Sequence, residues 1–248
     1  MLSVPKFTMN EVYVGSFVPG PDWARVHREP SGRYNTVRLM ALRRKFMTKI
    51  YLTRHGETEW NLQNRMQGWK ESQLTKLGEE QAKWLSDRLV DINFDAIYSS
   101  PLGRALETVK IICSDRETEL TINENLKEMS FGNWEGKTSS EIKSNYLDKY
   151  KRFWEEPHLF KGESGETFKE VKNRVLPLIK DIISNHKNNI LIVTHTVIIK
   201  ILMAYFEERE LRNLWDPPFI HQTCLNLIEV TKNHTEIILH GDTSHYKE

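Results

Sequence analysis

Apolar positions along the chain fall into two short unbroken runs, several stripes at helical spacing and one alternating stretch. Ile50, Tyr51, Leu52 and Thr53 make the first run, as expected of a strand buried on both faces of a parallel sheet. The segment Asn189-Ile190-Leu191-Ile192-Val193-Thr194 is the second. Leu77, Gln81, Trp84, Leu85 and Leu89 recur at helical spacing, so a helix is expected from about Lys76 to Leu89 with Thr75 as its cap. Asp95 to Ser99 reads as a short strand ended by Ser100-Pro101. A helix from about Leu102 to Ser114 follows, proline being suited to its entrance. Glu119 to Ile122 reads as a further strand.

Residues 126–136 carry Gly132 and Gly136 with little periodicity, which predicts a loop. Thr138 with Glu141 forms a capping box for a helix running towards Trp154. After a turn at residues 161–165, a long helix is expected from about Thr167 to Asn185, kinked or restarted at Pro177. The apolar run Val197 to Phe206 suits a helix packed on the sheet, and Pro217-Pro218 breaks the chain. Thr223 to Val230 and Glu236 to Leu239 alternate as a hairpin around Lys232 to Thr235. Strands alternating with helices predict an α/β three-layer sandwich. It has a mainly parallel central sheet, helices on both faces and a C-terminal edge hairpin.

Charge changes the picture at the amino end. Residues 1–46 hold 8 Lys or Arg against 3 Asp or Glu, leaving 27 against 31 for residues 47–248, so a net charge of +1 divides into +5 and −4. The first segment also carries Pro5, Gly15, Pro19, Gly20, Pro21, Pro30 and Gly32 without an apolar period. It reads as a flexible leader outside the fold, which leaves residues 47–248 as the folded domain. An Arg-containing targeting segment, a foreign remnant and translation from an upstream start codon are the competing origins. Met47, just before the first core strand, favours the last two. No apolar signal core is present.

The mildly acidic remainder offers no basic groove for nucleic acid, and no run approaches the ~18 apolar residues of a membrane span. Only Cys113 and Cys224 occur, too few for a disulfide framework, so a reducing cytoplasm is the expected compartment. No His or Cys pairs stand at zinc-ligand spacing, and neither a metal nor another cofactor is expected.

Candidate chemistry gathers where the two buried strands stop. Arg54, His55 and Gly56 follow the first without a spacer and His195 follows the second. In open α/β sheets ligands bind beyond the carboxyl ends of the strands. Arg54 and Arg104 are forked cations able to grip phosphate oxygens in pairs. A neutral imidazole at His55 can attack phosphorus and split hydrolysis into a phosphohistidine step and a water step. Nearby arginines help keep it neutral.

The segments Leu52-Thr53-Arg54-His55-Gly56-Glu57-Thr58-Glu59-Trp60-Asn61, Ser99-Ser100-Pro101-Leu102-Gly103-Arg104-Ala105 and Val193-Thr194-His195 come in this order. Together the chain from about Met47 onward resembles the histidine phosphatase superfamily, that of the cofactor-dependent phosphoglycerate mutases and their phosphatase relatives. The resemblance implies that His55 is the phosphorylated nucleophile and that Arg54, Arg104 and His195 form the phosphate pocket. It matches Asn61, Gln67 and Gly68 to substrate-binding positions, the last two in a loop over the phosphate. It also makes Glu128 the proton donor, with Glu135 as the rival. Thr196 departs from the glycine many relatives carry there, and Glu163-Ser164 resembles a segment supporting a helix start. His221, His240 and His245 are read as structural or surface residues.

Trp134, Tyr146, Tyr150, Phe153, Trp154 and Phe160 stand among mixed charges, without the arginine-rich insertion expected of glycolytic mutases. They suit either core packing or a pocket for apolar or ring-bearing esters. The expected function is therefore a metal-independent phosphomonoester hydrolase acting on a small phosphorylated metabolite, as a monomer or homodimer. Phosphoglycerate mutase-type transfer, a non-catalytic phosphate-binding module and a metal-dependent phosphohydrolase are the alternatives.

Overall fold

The protein's computed structural model describes residues 47–114, 116–162 and 164–247. The expectations for the leader and for Glu163 lie outside these residues. Six strands form one sheet in the order β3-β2-β4-β1-β5-β6. They are β1 (Thr48–Arg54), β2 (Ala96–Ser99), β3 (Leu120–Ile122), β4 (Asn189–Thr194), β5 (Leu225–Val230) and β6 (Thr235–Asp242). β1, β2 and β3 reach one another through parallel pairings with β4 and β2. β5 joins β1 antiparallel and pairs with β6 as the edge hairpin.

Alternation along the central strands sorts the core into two layers, because successive side chains leave a strand on opposite faces. Ile50, Leu52, Ile190 and Ile192 pack against the helices Phe168–Asn185 and Thr196–Phe206. Tyr51, Leu191 and Val193 pack on the other face with Ala82, Leu85, Ala105 and Val109. These last belong to the helices Lys76–Arg88 and Gly103–Ile112. The expected three-layer α/β arrangement is the observed one. Among the described residues no helix is long and apolar enough to cross a membrane.

In chain order the helices are α1 (Glu59–Leu62), α2 (Lys76–Arg88), α3 (Gly103–Ile112), α4 (Ser139–Asn145), α5 (Leu147–Glu155), α6 (Phe168–Asn185) and α7 (Thr196–Phe206). Thr75 caps α2 through Gly78 N, and Thr138 with Glu141 closes the expected capping box of α4. Three expectations need correction. The opening loop holds α1, four residues long and closed by a capping box between Thr58 and Asn61. The helix towards Trp154 is two helices, since Tyr146 at φ −140° and ψ 44° leaves the helical region. α6 runs without a restart through Pro177, its start set by a capping box of Thr167 and Glu170. The loop at residues 126–136 also contains a 3₁₀ turn at Gly132–Trp134.

Candidate active site

Arg54 is the last residue of β1 and pairs in register with Thr194, the last residue of β4. The two histidines that follow are therefore brought side by side, with ring centroids 5.2 Å apart and planes tilted by 56°. Nδ1 of His55 lies 2.7 Å from its neighbour's carbonyl, Gly56 O. A carbonyl only accepts, so Nδ1 carries the proton and Nε2 keeps its lone pair. Burial, and then the charges of Arg104 and Arg54, hold the His55 pKa well below the ordinary histidine value. The ring is neutral at pH 7.

His195 is fully buried at the N-cap of α7. Its Nε2 stands 2.7 Å from Ser100 Oγ, and burial followed by Arg104 and His55 again keeps the imidazole neutral. It does not itself line the cavity described below; it backs His55.

Two guanidinium groups flank this pair. Arg54 donates through Nη1 to Ile220 O at 2.9 Å. Arg104, in the first turn of α3, is buried and donates to Lys70 O at 2.9 Å and Gly68 O at 2.7 Å. Its nearest counterion, Glu71, is 3.9 Å away. Burial lowers its pKa to about 10, which leaves it charged at neutral pH. Arg54 Nε, Arg104 Nε, His195 Nδ1 and Gln67 Oε1 are buried without a protein partner, so the site holds polar capacity that the fold does not use.

Glu128 is buried and accepts from Met129 N at 2.8 Å and, more weakly, from Val197 N at 3.4 Å. Val197 lies in the first turn of α7, whose positive end faces the carboxylate. Burial nevertheless raises the Glu128 pKa, outweighing those two amides and the charges of Arg104 and Arg54. Glu135 has a different setting. Its Oε1 accepts from Phe131 N at 3.0 Å and Trp69 N at 3.1 Å, tying two loops together, and it is not among the cavity-lining residues.

Arg54, His55, Arg104 and Glu128 line one cavity of about 420 Å³, together with Asn61, Gln67, Gly68 and Thr196. Asn61 spends its side-chain oxygen on Thr58 N, at 3.1 Å, leaving only its amide group to offer a ligand. Gly68 has φ +56°, a conformation that suits glycine, and it passes close under the Glu135 carboxylate. The rest of the lining combines the aromatic rings of Phe131, Phe153, Trp154, Trp215 and Phe219 with aliphatic side chains and two further cations, Arg65 and Lys200. Trp154 and Trp215 lie 4.7 Å apart, Phe153 and Trp154 4.8 Å. Trp134 and Phe160, by contrast, belong to the core. Among the histidines left aside, His240 pairs with Glu207 at 2.9 Å and His221 packs on Phe219.

Sequence reasoning missed Ser100, Lys200 and the segment 215–220. Ser100 stood inside the quoted motif without a role. Lys200 carried a signal of its own, as the single charge in the apolar run Val197 to Phe206. Trp215, Pro217, Phe219 and Ile220 had none, because only tertiary structure sets them against Phe153 and Trp154.

The model of the histidine phosphatase superfamily (branch 1) matches residues 50–243. Phosphoserine phosphatase 1 of Hydrogenobacter thermophilus is 32% identical over 170 residues, covering 68% of this chain and 81% of that protein. The solved structure of Bacillus stearothermophilus YhfR superposes with a TM-score of 0.77 at 42% identity, covering 80% of this chain and 98% of the other. Phosphoserine phosphatase of Entamoeba histolytica, solved as a mutant with phosphoserine bound, has a TM-score of 0.70 at 32% identity, with coverage of 80% and 98%. The chain belongs to the histidine phosphatase superfamily. It is an enzyme that hydrolyses phosphate monoesters of small metabolites.

Proposed function

We propose that hydrolysis runs through a phosphohistidine on His55, with residues 47–248 as the catalytic domain. Nε2 of His55 attacks phosphorus and the ester P–O bond breaks. The departing alkoxide takes its proton from Glu128. Glu128, now ionised, removes a proton from water, whose oxygen attacks phosphorus and breaks the P–N bond. Arg54 and Arg104 balance charge on the transferring group, His195 stands behind the His55 ring, and Asn61, Gln67 and Gly68 complete the cradle. The observation that carries this reading is the lone pair of a neutral His55 opening into the same cavity as two arginines and a buried carboxyl.

The five aromatic rings of the lining suit a leaving group with ring or apolar surface. We take the partner to be a small phosphate ester, with no nucleic acid or membrane, and the setting to be cytoplasmic, as monomer or homodimer. A panel of phosphomonoesters with phosphate readout, run with and without a strong chelator, tests the reading. Release of phosphate from aryl and ring-bearing esters, with acid-labile phosphate trapped on His55, supports it. Isomerisation of phosphoglycerate outrunning phosphate release would overturn it.

A further inference from the structure

We infer that Lys200 is a specificity-positioning residue, which holds the segment 215–220 as the outer wall of the substrate cavity. Lys200 sits on α7 one turn beyond Thr196, and Thr196, Val197 and Lys200 all line the cavity. Its side chain is buried and donates through Nζ to Asp216 O at 2.5 Å and Pro218 O at 2.8 Å. An ammonium buried mainly against carbonyls is costly. Burial and the nearby Arg209 lower its pKa to about 8, with Glu207 and Asp216 acting the other way. A methionine would fill the same space without that cost, so the chemistry points to the two carbonyls as what the charge is there to hold.

The segment so held touches both halves of the site. Trp215 donates from Nε1 to Phe153 O at 2.6 Å, fastening the wall to α5. Ile220, at the other end, is the residue whose carbonyl receives Arg54. From outside, Gly241 lets the segment sit close: a Cβ there would meet Pro218 Cγ at 3.0 Å and Phe219 O at 3.2 Å. Leu214 and Ile220 are buried in the core while Phe219 between them is exposed. The middle of the wall is therefore held by cations rather than by apolar burial: Lys200 takes two of its carbonyls, and Arg209 reaches Asp216 O more weakly, at 3.3 Å.

The inference rests on the reading of the cavity as a phosphate-ester site, and the test separates the two. Wild type is first shown to form acid-labile phosphate on its histidine. Failure there overturns the enzymatic reading, whatever Lys200 does. Lys200→Met, Lys200→Arg and Gly241→Ala are then compared on 1-naphthyl phosphate and on glycerol phosphate, with kcat and KM separated. For Lys200→Met, KM on the naphthyl ester is expected to rise about tenfold, several times more than on the glycerol ester, with kcat changing less than KM. Lys200→Arg should recover part of that loss, since it keeps a cationic donor. Gly241→Ala, which presses the wall from the far side, should shift KM in the same selective way. It also serves if Lys200→Met does not fold. Unchanged KM in both Lys200→Met and Gly241→Ala would overturn the inference. So would equal losses on the two esters that follow the folded fraction.

Discussion

The guanidinium of Arg104 donates to the carbonyl of Gly68 at 2.7 Å, so a cation of the cavity and the loop beside it form one unit. Gly68→Ala would place a Cβ against the Glu135 carboxylate at φ +56°, a left-handed conformation costing roughly 1–2 kcal/mol. Relief requires Glu135 to leave Trp69 N and Phe131 N. The expected outcome is a KM raised about tenfold with weaker inhibition by inorganic phosphate. Steady-state kinetics with phosphate as competitor checks it.

His55→Ala removes the proposed nucleophile. Turnover should fall by ~10⁴-fold or more, and no acid-labile phosphate should remain after a quench with substrate. A variant that still turns over near the wild-type rate would move the nucleophile elsewhere.

Glu128→Gln tests the acid. Turnover on alkyl esters should fall ~10²- to 10⁴-fold, and less on nitrophenyl phosphate, whose leaving group needs no proton. Burial raises the Glu128 pKa, so its acid form persists to higher pH than an exposed carboxyl would allow. Wild-type kcat on alkyl esters should therefore decline as pH rises through that raised pKa. A pH profile of Glu128→Gln lacking this limb is the expected result.

Ser100→Ala takes away the hydroxyl 2.7 Å from Nε2 of His195. A hydrogen bond of this kind contributes about 1 kcal/mol net to stability, so a melting temperature lowered by roughly 2–4 °C is expected, together with a three- to tenfold loss of kcat. Ser100→Thr should retain more activity than Ser100→Ala if the hydroxyl is what matters.

The two imidazoles also set a pH dependence of stability. Both have folded pKa values well below the usual 6.5. Below that pH the unfolded chain binds more protons than the folded one. Stability from these groups is thus intact above pH 6.5 and is lost as pH falls through it, by up to ~1.4 kcal/mol per pH unit for each histidine. Urea unfolding at pH 5 and 7 should show a smaller difference in His55→Asn/His195→Asn than in wild type.

The strands β1 and β4, the helices α2, α3 and α6 between them and the meeting of Arg54, His55, Arg104, Glu128 and His195 near one sheet edge were legible in the chain. Each rests on local information: unbroken apolar runs, helical stripes, caps, and charged residues set directly at strand ends. What local patterning lacks is the partner across space. A four-residue α1 is too short for any periodic stripe, and the break at Tyr146 lies in backbone angles that no neighbouring proline or glycine announces. Nothing near Glu135 in the chain says that its carboxylate will be spent on Trp69 N and Phe131 N. Trp215 reaches Phe153, and Lys200 the carbonyls of residues 216 and 218, only because α7 packs on the sheet and the chain returns past it. Sequence alone determined the candidate groups of the site, since their chemistry belongs to residue type and strand position. Tertiary structure decided which ones line the cavity and what walls it, because those depend on contacts between segments that the folded packing alone brings together.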